Sequence, residues 1–461
     1  MTTIATPSGA SECIRPTPWQ APLPDGWQLI ALRRIALSMC DGPFGSSLKS
    51  SHYTETGTRV IRLQNIGNAA FRGDDEAYID PSYFASLGGH DARPGDLLIA
   101  GLGDENHPVG RACVLPEHVR TAMVKADCFR IRLDRRRAHP QFLAYFLSST
   151  AARAGFARVS RGATRERVNL GGAAAVAVPV PPLVQQAAIV DFLGRETARI
   201  DALIEKQEQL AGRAEEKRRA VTAHAIMRGL RRGVPMRDSG VVWIGGIPEH
   251  WKVVRLRHIA KVQSGLALGR KTESGTAEVP YIRVANVQDG FLDLTGIKTV
   301  AATPDELLRH TLRPGDVLMN EGGDNDKLGR GAIWAGEVKP CIHQNHVFAV
   351  RPHGVEPEWL TMVTGSEYAK RFFESRANQT TNLASISSSN LREVPIVMPP
   401  PEERAAILRH LEQQHAALDV LRAKAIEAVT LLREHRVALI ATAVIGQIAV
   451  RSAAAATEKA A

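Results

Sequence analysis

The sequence of 461 residues lacks a run of apolar residues long enough to cross a bilayer. Its first residues also lack the basic segment and apolar core that mark a secretory signal. The five cysteines are scattered and form no C-x-x-C pair, which is typical of reduced thiols inside the cell. We therefore expect a cytoplasmic protein with no membrane anchor and with mostly buried, reduced thiols.

Motifs that carry catalysis are missing as well. No G-x-x-x-x-G-K-[ST] is present, and the glycines of GLALGRKTES (265–274) have the wrong spacing for a phosphate-binding loop. No G-x-G-x-x-G joins a predicted strand to a predicted helix, and no Asn-Pro-Pro-Tyr-like run would hold a base for amino methylation. These absences predict a binding protein without catalytic residues.

Two stretches resemble metal sites without matching them. DNDKLG (324–329) begins like a calcium loop, but Leu328 stands at a ligand position and the bidentate glutamate is missing. His343 and His346 have the spacing of helical zinc ligands, yet they stand at the entry of a predicted strand and have no matched cysteine or carboxylate. We expect a structural or DNA-facing role for these histidines and no bound metal.

Length and charge narrow the kind of binding protein. A chain of 461 residues is too long for one core, so we expect at least two domains. The 58 lysines and arginines exceed the 48 acidic residues, and a net charge of +10 suits a polyanion such as nucleic acid. Solvated arginine-rich faces explain the same surplus, so charge alone leaves both interpretations open.

The chain contains an internal duplication. PDGWQLIALRRIA (24–36) returns as PEHWKVVRLRHIA (248–260), and further matches follow in the same order with nearly constant spacing. The other partners are VIRLQNI (60–66) and YIRVANV (281–287), RPGDLLIA (93–100) and RPGDVLMN (313–320), ENHPVGRACV (105–114) and DNDKLGRGAI (324–333), CFRIR (128–132) and VFAVR (347–351), and PPLVQQAAIVDFL (181–193) and PPPEERAAILRHL (399–411). This order indicates two copies of one folding unit.

Each copy begins with a globular part of mixed α and β structure. In both copies Pro-Gly-Asp precedes a strand-like run, as a β-turn requires. Helical patches follow at residues 140–156 and 357–373, and each part closes on an apolar strand that ends in proline. Trp27 and Trp251, which open the two parts, are interpreted as core residues rather than base-stacking platforms.

Each copy ends in one long helix. After Pro182 and Pro400 the sequence shows heptad-like spacing without internal breaks, which predicts coiled-coil helices. Because each stripe is apolar on one side only, we expect the two helices to pack on each other. The predicted seam residues are Ile200, Leu203, Gln207, Leu210, Ala214, Lys217 and Val221, and then Leu411, Leu418, Leu421, Ala425, Ala428, Leu432 and Leu439.

A polar loop precedes each closing strand. Arginine forks read guanine, asparagine and glutamine read adenine, and threonine suits phosphates, so both loops carry the side chains of a DNA reader. A solvated loop rich in turn formers is the alternative, but the loops diverge between copies while the elements beneath them stay alike. The loop candidates are Arg161, Thr164, Arg165 and Arg167 in the first copy and Asn378, Gln379, Thr380, Thr381 and Asn382 in the second.

A second duplicated polar loop adds further candidates for base or phosphate contact. These are Asn106 and Arg111 in the first copy and Asn325, Lys327 and Arg330 in the second. Arg62 and Arg283 also match between copies, and for them we favour a buried role in the fold over contact with DNA.

At this point the sequence resembles the specificity subunits of type I restriction–modification systems. The resemblance rests on the Pro-Glu/Asp-x-Trp entries, the I-R-x-x-N-I/V strands, the R-P-G-D turns, the P-P helix openings and the long helices, over about residues 22–448. The chain departs from the family's P-P-L-x-E-Q pattern at 184–186 and 402–404, which concerns the helix start more than DNA reading.

The resemblance implies an α+β fold with two mixed α/β target recognition domains, separated by two long helices that form an antiparallel coiled coil with pseudo-twofold symmetry. Each domain would read one half of a split DNA site, and the helices would set the length of the unread spacer. The implied segments are a leader (1–21), the first recognition domain (22–182), the central spacer helix (183–228), a linker (229–247), the second recognition domain (248–400), the C-terminal spacer helix (401–447) and a flexible tail (448–461).

The resemblance also implies partners. Such a chain is not itself catalytic; it binds double-stranded DNA and seats DNA methyltransferase subunits and ATP-driven restriction/translocase subunits. S-adenosylmethionine, ATP and Mg²⁺ are then expected on those partners and no cofactor on this chain. Two alternatives stay open: a specificity subunit for a differently built methyltransferase or restriction enzyme, and a coiled-coil scaffold that binds protein and not DNA.

Overall fold

The computed structural model describes residues 22–104, 106–162, 165–267, 276–323, 328–379 and 384–450 of the chain. These residues form two units. The first unit combines the described residues up to Gln207 with those from Glu427 onward, and the second unit is built from Glu208–Ile426. Each unit therefore takes its residues from both copies of the duplicated sequence.

The first unit contains mostly short strands and helices. Its strands are β1 (Gln28–Ala31), β2 (Ala36–Cys40), β3 (Tyr53–Thr54), β4 (Thr58–Ile61), β5 (Tyr78–Ile79), β6 (Asp91–Ala92), β7 (Leu97–Ala100), β8 (Ala112–Val114), β9 (Ala122–Val124), β10 (Cys128–Leu133) and β11 (Ala177–Val180). Its short helices are α1 (Pro81–Leu87), α2 (Pro140–Ser148), α3 (Thr150–Ala157) and α4 (Leu170–Ala175), and the long helix α5 (Leu183–Arg228) begins in this unit.

The second unit has a similar but larger set of elements. Its strands are β12 (Met236–Asp238), β13 (Gly246–Pro248), β14 (Lys252–Arg255), β15 (Ala260–Ser264), β16 (Ala277–Ile282), β17 (Lys298–Ala302), β18 (Val317–Asn320), β19 (Gly322–Gly323), β20 (Gly331–Ile333), β21 (Ile342–His343), β22 (Val347–Pro352), β23 (Asn378–Gln379), β24 (Ala384–Ser385) and β25 (Pro395–Met398). Its helices are α6 (Pro304–His310), α7 (Pro357–Thr364), α8 (Glu367–Arg376), α9 (Ser388–Arg392) and the start of α10 (Pro401–Val444).

The two units have the same strand order. A four-stranded antiparallel sheet runs β2-β10-β7-β8 in the first unit and β15-β22-β18-β20 in the second. A second sheet in each unit contains a parallel pair, β4 with β9 and β16 with β21. The strand that closes each globular part pairs with the strand that opens it, β11 with β1 and β25 with β14. The predicted mixed α/β architecture is confirmed.

The Pro-Gly-Asp turns hold the four-stranded sheets together. Gly95 and Gly315 have φ of 81° and 89°, a left-handed conformation that favours glycine. The Asp96 carboxylate accepts two hydrogen bonds from Arg132, of 3.0 and 2.8 Å, on the neighbouring strand β10. Asp316 accepts the equivalent pair from Arg351 on β22, at 2.7 and 2.6 Å. The aspartate of the repeated R-P-G-D motif is therefore a buried carboxylate that binds both prongs of an arginine on the neighbouring strand.

Each helical patch predicted from the sequence is two helices. The helical structure is interrupted at Ser149 between α2 and α3 and at Ser366 between α7 and α8. Both serines donate a 2.6 Å hydrogen bond to a carbonyl of the preceding helix, Ser149 to Phe146 and Ser366 to Val363. Because the hydroxyl offers the backbone a local partner, each serine favours a boundary over a continuous helix.

The cores combine each globular part with pieces of both long helices. In the first unit Phe142 and Phe146 share a buried cluster with Leu193 of α5 and Val444 of α10. In the second unit an equivalent cluster contains Leu411 of α10 and Ile226 of α5, together with Trp251, Trp359 and Phe373. A fully buried side chain of this size contributes about 1.5–3 kcal/mol, so each helix end stabilises the domain beside it.

The long helices contact each other within each unit. Helix α5 has 46 residues and helix α10 has 44, so each is about 66–69 Å long at 1.5 Å per residue. In the second unit Thr222 lies 2.8 Å from His415 and Arg218 lies 3.8 Å from Asp419, so the two segments run antiparallel there. In the first unit Arg436 forms a 2.9 Å ion pair with Asp201. The expected pairing of the helices is confirmed.

The predicted seam of α5 is partly wrong. Ile200 and Ala214 are buried, and Gln207 and Val221 are half-buried, as expected. Leu203, Leu210 and Lys217 are instead exposed, and the next residues, Ile204, Ala211 and Arg218, are half-buried. The buried and half-buried positions of α5 step alternately by four and three residues, from Ile200 through Ile204, Gln207 and Ala211 to Ala214.

Two further expectations change. On α10 Leu421 is 40% exposed, whereas Leu411, Leu418 and Ala425 are buried as predicted. The segment expected to be a linker (229–247) takes part in the antiparallel pair β12–β13, and Ile244 and Ile247 in it are buried in the core of the second unit. The apolar residues between its glycines supply enough burial to hold it against the domain.

Candidate nucleic-acid interface

The two predicted polar loops of the first unit lie side by side. The amide of Gly103 donates to the carbonyl of Glu166 at 2.8 Å, and that of Val168 donates to Gly101 at 2.8 Å. Bridges also join Leu102 to Arg167 and Arg167 to Arg161. We name the described residues of 102–108 and 161–167 the first two-loop surface. The structure therefore brings together two sets of candidates that are far apart in the sequence.

Arginines dominate this surface. Arg161, Arg165 and Arg167 are exposed, and Arg161 and Arg167 pair through backbone hydrogen bonds of 2.8 and 2.9 Å. The Arg167 Nε atom donates to Asp127 at 2.8 Å, and its guanidinium lies 5.8 Å from the centre of the Phe44 ring. Thr164 lies outside the described residues. Anchored backbones with exposed guanidinium groups suit both phosphates and guanine edges.

The neighbouring loop is shaped by Asp104. Its carboxylate accepts from the backbone amides of Asn106 and His107 at 2.9 and 2.8 Å, and these bonds, Asn106 first, lower the pKa of Asp104. The side chain of Asn106 is left exposed. This candidate is therefore presented on a turn whose conformation is fixed by a carboxylate.

Arg111 is placed inside the protein. It is only 6% exposed, and its guanidinium donates to the carbonyls of Ile66 at 2.8 Å, Leu63 at 3.0 Å and Leu102 at 3.1 Å. Burial lowers its pKa. Arg111 ties the loop to the chain beneath it, so its geometry is that of a positioning residue and not of a surface contact.

The second unit builds the same feature from different side chains. Strands β19, β24 and β23 form a small antiparallel sheet in which Asn378 pairs with Ser385 and Gly322 pairs with Ser385 from the other side. Asn378 is exposed, and the backbone of Gln379 lies in β23. Arg330 is half-buried, and its carbonyl accepts from Asn320 at 3.0 Å, as the carbonyl of Arg111 accepts from Ala100 at 2.9 Å. Asn325, Lys327, Thr380, Thr381, Asn382 and the side chain of Gln379 lie outside the described residues.

The repeated Arg and Asn of the I-R-x-x-N strands have a role in the fold. Asn65 is buried, accepts from the amide of Arg62 at 2.8 Å and donates to the carbonyls of Arg72 and Asp75. Asn286 does the same with the amide of Arg283, at 3.0 Å, and with the carbonyl of Asp293, at 2.8 Å. Arg62 forms an ion pair with Asp75. The matched motif thus closes a tight turn.

The two histidines considered as zinc ligands have other partners. His343 is buried, and its Nδ1 atom lies 2.6 Å from the carbonyl of Val347. Burial lowers the pKa of His343 to about 4. His346 is exposed and lies 2.6 Å from Glu321. Among the residues that the structure describes, no group of three side chains is arranged to hold a metal ion.

Sequence reasoning missed Asp41, Phe44 and Asp127 beside the first two-loop surface. Asp41 accepts from the amide of Asp127 at 3.1 Å although the two residues are 86 positions apart. The one local signal is Gly42, where an added Cβ would lie 2.0 Å from the backbone carbon of Lys125. A glycine required by so close a chain crossing marks a fixed position, but it does not name the partner.

Known proteins resemble this chain in sequence and in structure. No family model matches the sequence. The chain is 22% identical over 437 residues to the EcoKI type I restriction enzyme specificity subunit of Escherichia coli K12, covering 92% of this chain and 90% of that protein. It is 20% identical to the StySPI type I restriction enzyme specificity subunit of Salmonella potsdam, with the same 92% and 90% coverage.

Solved structures share the fold. A chain from a type I R-M system matches with a TM-score of 0.69 at 18% identity, covering 93% of this chain and all of that one (100%). The HsdS subunit from Thermoanaerobacter tengcongensis matches with a TM-score of 0.54 at 18% identity, covering 93% of this chain and 99% of that one. No helix in the described ranges has both the length and the apolar character to span a bilayer. Similarity along nearly the whole chain agrees with the sequence motifs, and in sequence and fold this chain is similar to the specificity subunits of type I restriction enzymes.

Proposed function

We propose that this chain recognises a bipartite DNA sequence on behalf of a type I restriction–modification enzyme, each unit reading one half of the target. The observation that carries the proposal is the paired loop surface. Both units build it on equivalent backbone hydrogen bonds, from Val168 to Gly101 in the first and from Ile386 to Glu321 in the second, at 2.8 Å each. A shared frame with different exposed side chains is what two readers of different half-sites require.

In this proposal the chain supplies recognition and assembly, and its partners supply chemistry. Exposed arginines of the first unit and Asn378 of the second contact bases and phosphates, while buried residues such as Arg111 hold the loops in place. Methyltransferase subunits bring S-adenosylmethionine, and restriction/translocase subunits bring ATP and Mg²⁺. The chain itself then has neither a catalytic residue nor a cofactor.

The test uses the full chain co-expressed with its modification subunit in a host that lacks adenine methylation. Single-molecule sequencing of the host DNA should reveal one interrupted methylated motif. Replacing Arg161 and Arg165 together by alanine should relax or abolish one half of that motif and leave the other half unchanged. Substituting Asn378 by alanine should affect only the opposite half. An interrupted motif that is identical in all three samples would contradict the proposal.

Salt dependence separates a DNA reader from a protein scaffold. Neutralised phosphates release counterions, so the affinity of the purified assembly for its target should fall steeply, by about 10³-fold or more between 50 and 200 mM salt. A scaffold would show no such slope and no footprint. The subunits that co-purify with the chain separate a type I assembly from a differently built enzyme.

The role of the long helices in setting the unread spacer stays a prediction. Removing a matched number of turns from α5 and α10 should shorten the spacer in the methylated motif. An unchanged spacer in a variant that still methylates DNA would contradict this role.

A further inference from the structure

A cavity opens beside the first two-loop surface. It has a volume of about 240 Å³ and is lined by Asp41, Phe44, Asp127, Arg161, Arg167, Val159, Val168 and Asn169. The two arginines belong to the predicted DNA-contact loop, whereas Asp41, Phe44 and Asp127 come from other parts of the chain. The cavity therefore joins hydrogen-bond donors of the loop to acceptors and an aromatic ring of the domain.

Asp41 is fixed in this cavity. Its Oδ1 atom accepts from the amides of Gly42 at 2.7 Å and Asp127 at 3.1 Å. Within the described part of the chain both of its hydrogen bonds fall on Oδ1, which leaves Oδ2 as an acceptor for a ligand. Since Gly42 admits no side chain beside Lys125, the backbone on this side of Asp41 has little room to move.

The cavity contains one arginine that is already bonded to the protein and one that is available to a ligand. Arg167 already donates to Asp127 at 2.8 Å and covers the Phe44 ring, so its Nε atom is engaged. Arg161 is exposed and lines the same cavity, so its fork can donate to a ligand. In the major groove a G·C pair presents the O6 and N7 acceptors of guanine beside the N4 donor of cytosine. A free arginine fork together with a free carboxylate oxygen complements that pair.

The second unit has the same backbone frame but different chemistry. The amide of Gly101 donates to the carbonyl of Asp127 at 2.7 Å, and in the second unit the amide of Glu321 donates to that of His346 at 2.9 Å. His346 thus takes the place of Asp127, and it pairs with Glu321 at 2.6 Å. Gly42 in the first unit and Gly265 in the second each lie against the backbone of a neighbouring segment, at Lys125 and His343. Because the two glycines are equivalent, the residue before Gly265, Ser264, takes the place of Asp41. The side chains at this position therefore differ between the two units.

We infer that the cavity reads a G·C base pair in the half-site of the first unit, with Asp41 accepting from cytosine N4 and Arg161 donating to guanine O6 and N7. Phe44, which is 51% exposed, packs against the edge of the same or the adjacent base. This assignment rests on the proposed function, and it adds specificity-determining residues that lie outside the polar loops.

The experiment measures base preference in the assembly of full chain and modification subunit. Asp41→Asn keeps an oxygen acceptor for the two amides but presents an NH2 donor to DNA in place of the Oδ2 acceptor, so discrimination against other bases should fall by about 10- to 100-fold at one G·C position of the first half-site. Arg161→Gln should relax the same position. Asp134→Asn is the matched control. It removes the charge that pairs with the exposed Arg136 side chain and should leave the methylated motif unchanged.

Each outcome decides a separate point. Relaxation of one shared G·C position by both variants, with the second half-site intact, supports the cavity. Unchanged discrimination in both variants, or changes at two different positions, overturns it while the proposed function stands. If wild-type chain directs no interrupted methylation, the proposed function itself fails. If Asp41→Asn does not fold, as judged by its thermal transition, Arg161→Gln decides, because an unchanged first half-site in that variant overturns the inference.

Discussion

Gln186 and Arg404 occupy the same place at the start of the two long helices, and both are buried, with 0% and 5% exposure. The Gln186 side chain accepts from the amide of His139 and donates to the carbonyls of Arg137 and Pro181, at 2.7, 3.0 and 2.7 Å. Arg404 instead donates to the carboxylate of Glu356, at 2.8 and 3.3 Å, and to the carbonyl of Pro399 at 2.9 Å. One junction is thus held by a neutral amide and the other by an ion pair.

Replacing Arg404 by glutamine, the residue at the equivalent position of the first unit, tests whether the two junctions are equivalent. Arg404→Gln should lower the free energy of unfolding by about 1–3 kcal/mol, because it leaves the half-buried Glu356 without its partner. Adding Glu356→His introduces the residue found at the equivalent position of the first unit, His139. It should recover part of the lost stability, because it removes the unpaired carboxylate. Urea unfolding followed by tryptophan fluorescence measures both. Equal stability of wild type and Arg404→Gln would show that the ion pair contributes nothing.

The same junction predicts a pH dependence. Burial alone would raise the pKa of Glu356, but the hydrogen bonds from Arg404 outweigh it and the pKa lies below its ordinary value of 4.5. A lowered folded-state pKa contributes stability above the unfolded pKa that is lost as the pH falls through the folded pKa. The stability difference between wild type and Arg404→Gln should therefore be largest near neutral pH and shrink below 4.5. A difference that does not change with pH would contradict this assignment.

The buried pair at the Pro-Gly-Asp turn predicts a larger effect. Arg351→Gln leaves the Asp316 side chain, which is 1% exposed, without its counter-ion and should cost about 3–5 kcal/mol. Arg136→Gln is the matched control, because the Arg136 side chain is 87% exposed in its pair with Asp134 and should contribute less than about 1 kcal/mol. Thermal unfolding of the two variants side by side gives the comparison, and equal losses would refute it.

The ionised Asp41 side chain should lower the stability of the fold, which is the opposite of the effect of Glu356. Burial raises the pKa of its carboxyl from 3.8 to about 6, and the Asp127 carboxylate acts in the same direction, against the amide donors and Arg167. A raised folded-state pKa means that the ionised group destabilises the fold above pH 6 and ceases to do so below 3.8. Asp41→Asn should therefore be more stable than wild type near pH 7.5, by on the order of 1–2 kcal/mol after solvent screening.

The measurement is the difference in melting temperature between Asp41→Asn and wild type across pH. The advantage of the variant should vanish near pH 4, where both side chains are neutral. A variant that is less stable at every pH would show that Asp41 serves the fold rather than a ligand, because functional carboxyls are commonly held at a cost in stability.

Sequence patterns predicted the repeated features because repetition is visible without coordinates. The Pro-Gly-Asp turns, the closing strands and the long helices each recur with the same local chemistry. The residues that fill the first cavity could not be predicted in this way. Asp41 and Asp127 meet through a fold that joins residues 86 positions apart, and neither belongs to a matched motif.

The helix seam shows a second limit of local reasoning. Leu203 and Leu210 fit the heptad spacing, yet the buried and half-buried stripe of α5 runs through Ile204 and Ala211. A regular helix places i+3 and i+4 at similar angles to the seam, and only the partner decides between them. The buried role of Gln186 could not be predicted for the same reason, since it depends on His139 and Arg137 of the preceding domain.

The composition of the first unit has a consequence for synthesis on the ribosome. Its buried cluster includes Ile440, Ala443 and Val444, which are translated only after the whole of the second unit, Glu208–Ile426. Domains commonly fold as they emerge, N-terminal ones first. Part of the apolar core of the first unit stays uncovered until the end of α10 has been synthesised, so we expect the nascent chain to expose apolar surface while residues 208–426 are translated.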